Sequence, residues 1–206
     1  MTRRKSSRPP AAALLLIDVI NPFDFPGAAA LYRRALPAAR RLAALKRTLR
    51  ARGVPAIYVN DNFGGWDLGF RELVDRLRGA NGCGAPIIEL LAPQAGDHFI
   101  LKPKHSGFYG TSLELLLDHL GARVLVLTGF AANICVWFTA NDAHMRGYRV
   151  VVARDCVASE RSRDTTYVLE QMRRVMDAKT IAARDVSRVI GAPGTRAANV
   201  RSEITR

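Results

Sequence analysis

The sequence is poor in the residues that build metal sites, disulfide frameworks and membrane spans. Its four histidines are scattered and lack the spacing of a metal-ligand set. Its three cysteines, Cys83, Cys135 and Cys156, are an odd number, which favours free thiols in a reducing compartment. It has no apolar stretch of about 18 residues to span a bilayer and no signal-peptide core before its first predicted strand. We therefore expect a cytoplasmic protein with no membrane partner.

Positive charge is abundant, with a net charge of +13. Part of the charge lies in two predicted flexible tails, residues 1–10 and 191–206, and part on a helix predicted over residues 28–52. Basic residues such as Lys46 and Arg47 recur on that helix opposite an apolar face, which is typical of a solvated helix surface. Because no nucleic-acid-binding motif accompanies the charge, we expect no specific nucleic-acid partner.

Apolar runs of strand length alternate with helical patterns over residues 11–190. This alternation predicts one α/β domain, a three-layer α/β/α arrangement around a mostly parallel, Rossmann-like sheet of about six strands. For 206 residues a single domain is the simplest division. The predicted strands are 12–18, 55–60, 98–102, 123–128, 149–153 and 179–183, and the predicted helices are 28–52, 68–78, 85–92, 111–120, 134–146 and 162–177.

Chemically useful side chains stand where three of the predicted strands end. Asp18 closes an apolar run, Lys102 ends a short strand, and Cys135 comes soon after another buried strand. Because the carboxyl ends of parallel strands share one sheet edge, we expect the three side chains to meet there. A carboxylate can accept the thiol proton, and an ammonium group can stabilise a thiolate or an oxyanion. The pattern predicts a nucleophilic cysteine.

The segment around Cys135 favours an activated thiol. Gly129 interrupts the strand, and Asn133 is a candidate N-cap that puts Cys135 in the first turn of a helix. The free N–H groups and the dipole at that position lower the pKa of a thiol. The alternative interpretation is a buried cysteine that packs as a small apolar residue. Taken alone, Asp18 and Lys102 also have ordinary explanations, a structural strand end and a solvated charge.

Three segments of the chain resemble the isochorismatase-like cysteine hydrolases, the superfamily of nicotinamidases, N-carbamoylsarcosine amidase and isochorismatase. In the family's order these segments are LLLIDVINPF, KPKHSGFYGTSL and TGFAANICVWFTANDAHMRGY. The resemblance covers residues 12–185 and implies a catalytic triad of Asp18, Lys102 and Cys135. Lys104 competes for the lysine position, but the spacing to the Ser-Gly-Phe segment favours Lys102.

The resemblance also implies the surroundings of the nucleophile. The oxyanion-hole donors would be the backbone N–H groups of Ala131 and Cys135, beside a Phe130–Ala131 peptide bond that is cis in the family. Residues near the site that are candidates for contact with a partly apolar, small-molecule substrate are Asn21, Phe23, Trp66, Phe108 and Trp137. Core packing explains any one of the aromatic residues equally well.

Two differences from particular members of the family narrow the predicted function. Nicotinamidases carry an Asp-x-His metal motif, whereas Asp61 has no histidine near it, so we predict a site with no metal and no cofactor. Isochorismatases that cleave a vinyl ether can lack the cysteine, whereas Cys135 is present, which favours hydrolysis of an amide or carbamoyl C–N bond through a thioester. A vinyl-ether hydrolase and a non-catalytic binding scaffold are the alternatives. Because family members commonly self-associate, we expect a homo-oligomer, a dimer or a tetramer.

Overall fold

The computed structural model describes residues 12–80 and 82–191. All neighbouring strands of its central sheet pair in parallel, in the order β3-β2-β1-β4-β5-β6. The strands are β1 Ala12–Ile17, β2 Ala56–Asp61, β3 His98–Lys102, β4 Val124–Phe130, β5 Arg149–Ala158 and β6 Lys179–Ile181. The predicted six-stranded parallel sheet is therefore confirmed. The predicted tails lie outside the described residues, apart from Gly191, and the domain limits of 11–190 stay a prediction.

Helices of the described part connect the strands and cover the sheet. They are α1 Ala28–Ala51, α2 Phe70–Gly79, α3 Ala85–Leu90, α4 Leu113–His119, a π-helix Ala132–Val136, α5 Trp137–Met145, α6 Ser162–Met176 and α7 Ala183–Val189. Helix α7 was not predicted, and β5 runs past its predicted end at 153. Within residues 12–80 and 82–191, no helix is both long enough and apolar enough to cross a bilayer.

The two faces of β1 show why helices cover the sheet on both sides. Leu14 and Leu16 belong to a core cluster that includes residues of α1 and α7. Leu15 and Ile17 belong to a second cluster with residues of α4, α5 and α6. Because successive strand side chains point to opposite faces, an unbroken apolar strand needs a packed layer on each face. The three-layer arrangement follows from this pattern.

The strand order reverses between β1 and β4, the position at which open parallel sheets form a crevice. Gly129 of β4 lies in register with Ile17 of β1 and has a φ of 110°. A Cβ atom at Gly129 would collide with the Ile17 carbonyl oxygen, so only glycine permits this approach. The close approach brings the residue after β1, Asp18, next to the turn after β4.

One prediction about surface charge is wrong. Lys46 of α1 is only 5% exposed. Its Nζ donates to Asp97 Oδ2 at 2.6 Å and to the Tyr58 hydroxyl at 2.7 Å, and that hydroxyl donates to the Leu91 carbonyl at 2.6 Å. Burial lowers the pKa of Lys46 and Asp97 opposes that effect. The basic stripe of α1 therefore contains a buried ion pair that ties the helix to the segment before β3.

Candidate active site

The structure brings together three side chains from one edge of the sheet. Lys102 Nζ lies 2.8 Å from Asp18 Oδ2 and 3.6 Å from Cys135 Sγ. Lys102 ends β3, Asp18 follows β1, and Cys135 lies in the π-helix after β4. The ammonium group therefore stands between a carboxylate and a thiol, the three groups that the strand ends were expected to supply.

Lys102 is fully buried, whereas Lys104, the competing lysine, is exposed. Burial alone would lower the pKa of Lys102, but its interactions with neighbouring groups, chiefly the charge of Asp18, outweigh burial and hold the pKa above its usual range. The side chain is consequently a permanent ammonium at physiological pH. The two lysines are only two residues apart in the sequence, but their burial in the structure distinguishes them.

Asp18 has a constrained backbone and a constrained carboxylate. Its φ of 50° lies in the left-handed region, which aspartate tolerates better than most residues. Its N–H donates to the Val59 carbonyl at 3.0 Å, and its Oδ1 accepts the Asp61 N–H at 2.6 Å. Burial raises the pKa of Asp18 above its ordinary value, although the Lys102 charge opposes the rise. A raised pKa makes this carboxylate a stronger base than an exposed aspartate.

A second carboxylate, that of Asp61, reaches the same ammonium group. Asp61 ends β2 in register with Lys102 of β3, and its Oδ2 lies 3.6 Å from Lys102 Nζ. Its Oδ1 accepts the Phe63 N–H at 2.7 Å. Among residues 12–80 and 82–191, no group of three or more His, Cys, Asp and Glu side chains is arranged to hold a metal ion. In the described part of the chain, Asp61 therefore stands beside a lysine and does not belong to a group of metal ligands.

Two expectations about the nucleophile segment are wrong. Asn133 does not cap a helix, because residues 132–136 form a π-helix without a side-chain cap, and Asn133 Oδ1 is buried with no partner in the described part of the chain. The pKa of Cys135 is raised by burial and by the charge of Asp18, while Lys102 opposes the rise. The resting side chain is thus a protonated thiol, and its proton must leave during any attack on a substrate.

The turn before the π-helix contains a cis peptide bond between Phe130 and Ala131, as the resemblance implied. The Ala131 carbonyl accepts the N–H groups of Ile134 at 3.1 Å and Val136 at 3.2 Å. These bonds wind the chain tightly around Cys135. The assignment of the Ala131 and Cys135 N–H groups as oxyanion donors stays a prediction.

Two buried polar side chains that were not singled out in the sequence hold the loops of the site. Thr139 Oγ1 donates to the Cys135 carbonyl at 2.7 Å and accepts the Gly107 N–H at 3.0 Å. Asn60 binds both the N–H and the carbonyl of Ile20, at 3.1 and 3.0 Å. The spacing of four residues from Cys135 is a signal that would have identified Thr139, since a hydroxyl there reaches a helical carbonyl. Asn60 gives no such signal, because its partner is 40 residues away.

The five candidate substrate-binding residues lie in different settings. Asn21 is buried, and its Oδ1 accepts the Phe23 N–H at 2.8 Å. Phe23 and Phe108 are core residues rather than residues of an exposed site opening. Trp66 is 81% exposed in the loop after β2, and Trp137 is partly buried at the start of α5. Contact of any of the five with a substrate stays a prediction.

Comparisons with known proteins agree with this fold. The isochorismatase domain family matches residues 12–184. YaaI, an isochorismatase family protein of Bacillus subtilis, is 38% identical over 167 residues, which are 81% of this chain and 91% of YaaI. The maleamate amidohydrolase of Pseudomonas putida is 31% identical over 158 residues, 73% of each protein. N-carbamoylsarcosine amidase from Thermoplasma acidophilum matches in structure with a TM-score of 0.65 and 30% identity, over 84% of this chain and 96% of that one.

The fold and the comparisons define a hydrolase built on a parallel α/β sheet. The chain belongs to the isochorismatase family.

Proposed function

We propose that this protein is a metal-independent cysteine hydrolase that cleaves the C–N bond of a small amide or carbamoyl compound. The observation that carries the proposal is the position of Lys102 Nζ, 2.8 Å from Asp18 Oδ2 and 3.6 Å from Cys135 Sγ. Relatives named as maleamate amidohydrolase and N-carbamoylsarcosine amidase support a C–N bond as the bond that is cleaved.

In the first half of the proposed reaction, the enzyme is acylated. The Cys135 thiol gives its proton to Asp18 while its sulfur bonds to the substrate carbonyl carbon. The carbonyl oxygen gains the negative charge and binds the N–H groups of Ala131 and Cys135. The C–N bond then breaks, Asp18 returns the proton to the departing nitrogen, and ammonia or an amine leaves a thioester on Cys135.

In the second half, water replaces the amine. Asp18 takes a proton from water, whose oxygen attacks the thioester carbon, and the C–S bond breaks. The sulfur recovers a proton, the carboxylic or carbamic acid departs, and the enzyme returns to its resting form. Lys102 keeps its proton throughout and stabilises whichever of the carboxylate, the thiolate or the oxyanion is charged.

Charge balance supports a proton transfer within this buried group. Before the transfer Asp18 is negative, Lys102 positive and Cys135 neutral; afterwards Cys135 is negative and Asp18 neutral. The three side chains together remain neutral, so the step creates no uncompensated charge in a site where burial raises the pKa of both acids. A raised pKa on the thiol is therefore compatible with reactivity, provided that Asp18 accepts the proton.

The Cys135→Ala variant tests the proposal. Wild-type protein is incubated with a panel of primary amides and N-carbamoyl acids, and with isochorismate for the vinyl-ether alternative. We expect ammonia release from an amide or carbamoyl compound, an acylated Cys135 in rapidly quenched mass spectra, and a loss of at least about 10³-fold in Cys135→Ala. Cys83→Ala, which removes an exposed thiol, is the matched control. Full activity in Cys135→Ala, or cleavage of isochorismate alone, would overturn the proposal.

Cellular location and assembly complete the proposed picture. We place the enzyme in the cytoplasm because its thiols are unpaired among the described residues. We also propose a homo-oligomer, a dimer or a tetramer, which light scattering at micromolar concentration tests directly. A monomeric mass would remove the second of these proposals without affecting the chemistry.

A further inference from the structure

The Asp61 carboxylate is the solvent-facing member of the charged group. Its side chain is 33% exposed, whereas the side chains of Lys102 and Asp18 are 0% and 7% exposed. Asp61 extends from the end of β2, the strand that lies between β1 and β3 in the sheet. A molecule that approaches the buried lysine from solvent therefore meets Asp61 at the edge of the site.

One oxygen of this carboxylate is held and the other is available. Oδ1 accepts the Phe63 N–H at 2.7 Å, which fixes the orientation of the side chain. Oδ2 lies 3.6 Å from Lys102 Nζ, too far for a hydrogen bond, and accepts none from residues 12–80 and 82–191. A charged oxygen with open lone pairs favours a ligand that brings N–H donors.

This free oxygen is within reach of a molecule bound at Cys135. Asp61 Oδ2 and Cys135 Sγ each lie 3.6 Å from Lys102 Nζ, so they are separated by no more than twice that distance. A carbonyl carbon bonded to Sγ carries its leaving group one bond further out. The leaving group of such an intermediate can therefore point toward Asp61.

We propose that Asp61 is a specificity-determining residue that accepts the N–H hydrogens of the leaving nitrogen and so selects primary amides and ureides over esters and vinyl ethers. The inference rests on the proposed function in taking Cys135 as the nucleophile. An amide nitrogen offers two N–H donors to Oδ2, and as it takes up a proton its positive charge is stabilised by the carboxylate. An ester or ether oxygen offers only lone pairs, so the carboxylate repels it.

The net charge of the site agrees with this role. Two carboxylates, Asp18 and Asp61, share one ammonium group, Lys102, which leaves one negative charge in excess at the exposed side. If Asp61 served only to hold Lys102, its carboxylate would be expected to lie within hydrogen-bond distance of Nζ, as the Asp18 carboxylate does at 2.8 Å.

Alkylation of Cys135 by two neutral reagents tests the inference without requiring turnover. Iodoacetamide carries an N–H donor group, and methyl iodoacetate carries an ester at the same position. The alkylation rate of Cys135 with each reagent is measured by peptide mass mapping, and the amide-to-ester rate ratio is divided by that of the exposed Cys83 in the same molecule. We expect this normalised ratio to exceed one in the wild type and to fall about ten-fold in Asp61→Asn.

Asp61→Asn is the sharpest variant. Its side-chain oxygen can keep the Phe63 N–H bond, so its NH2 group faces the site and an acceptor becomes a donor. Asp61→Ala removes the acceptor altogether and should lower the ratio as well. Asp67→Asn, which changes an exposed aspartate in the loop after β2, loses the same charge and should leave the ratio unchanged.

Each other outcome counts against the inference. A wild-type ratio near one, or alkylation of Cys135 by methyl iodoacetate but not by iodoacetamide, would show that the site does not favour an amide. Equal rate changes for both reagents in Asp61→Asn would show that Asp61 acts only through Lys102. Because alkylation is independent of hydrolysis, a fall in the ratio together with full amide hydrolysis by Cys135→Ala would refute the proposed function. It would then overturn the role of Asp61 toward the leaving nitrogen and keep only its preference for an amide bound beside Cys135.

Discussion

Thr139 Oγ1 donates a hydrogen bond of 2.7 Å to the backbone carbonyl of Cys135. The same hydroxyl accepts the Gly107 N–H at 3.0 Å, so one buried side chain joins the nucleophile segment to the loop that follows Lys102. A hydroxyl that donates to one segment and accepts from another fixes their separation. Thr139 therefore helps to set the distance between the ammonium group and the thiol, although it touches neither.

Thr139→Val keeps the shape of the side chain and removes both hydrogen bonds. It leaves the Gly107 N–H buried without a partner, so we expect the free energy of unfolding to fall by about 2 kcal/mol. We also expect kcat to fall, because the thiol loses its fixed position. Urea denaturation and amide turnover measure the two effects. Thr139→Ser keeps the hydroxyl, and an equal loss in that control would assign the effect to packing.

The buried ion pair of α1 gives a prediction about stability alone. Lys46→Met removes the donor to Asp97 Oδ2 and to the Tyr58 hydroxyl. The change leaves the buried Asp97 carboxylate with the partly exposed Arg50 as its charged partner, so we expect a loss of about 3 kcal/mol in the free energy of unfolding. Arg50 also pairs with Asp97 but is 43% exposed, so Arg50→Met should cost less than about 1 kcal/mol. Equal losses in the two variants would contradict the burial argument.

Local sequence patterns predicted the sheet because most of its strands contain apolar runs of buried-strand length, although β3 and β6 are short and partly exposed. The ends of three predicted strands, at Asp18, at Lys102 and shortly before Cys135, also placed the charged group, since parallel strands share one edge. The burial and the charged neighbours of each group could not be predicted from the local sequence. The pKa of Cys135 is raised by burial and by the charge of Asp18, which is far away in sequence.

Long-range packing explains the errors at Lys46 and Asn133. Lys46 looks like a surface residue in its own helix, and its burial depends on Asp97, which is 51 residues away. Asn133 has the chemistry of an N-cap, but the π-helix that the chain adopts there depends on the packing of β4 and α6 around it. In both cases the residues that decide the outcome lie in other elements, so the sequence pattern of a single element does not reveal them.

Removal of metal ions should leave the enzyme active. A transition-metal site needs three or four ligands at about 2.0–2.3 Å. Asp61 has the Lys102 ammonium at 3.6 Å, and a cation at that position would be repelled by it. We expect EDTA-treated protein to keep its amide turnover and Lys102→Ala to lose most of it. Loss of turnover on chelation that zinc, iron or manganese restores would show that the site uses a metal.

Asp18 has two opposing effects on the nucleophile, which one variant can separate. Its charge raises the pKa of the Cys135 thiol and disfavours the thiolate. In the proposed mechanism the same carboxylate is the base that removes the thiol proton. Asp18→Asn should therefore lower the pKa of Cys135, since Lys102 remains beside the sulfur, and should nevertheless abolish turnover.

The reaction of Cys135 with iodoacetamide as a function of pH measures the first effect. At pH 8 we expect Asp18→Asn to alkylate at Cys135 at least about ten-fold faster than the wild type, because each unit of pKa changes the thiolate fraction ten-fold. Lys102→Met should shift the reaction the other way, since it removes the charge that opposes the raised pKa. Cys83 serves as the internal reference. A slower reaction in Asp18→Asn would show that Asp18 stabilises the thiolate, and turnover that survives in this variant would show that another group is the base.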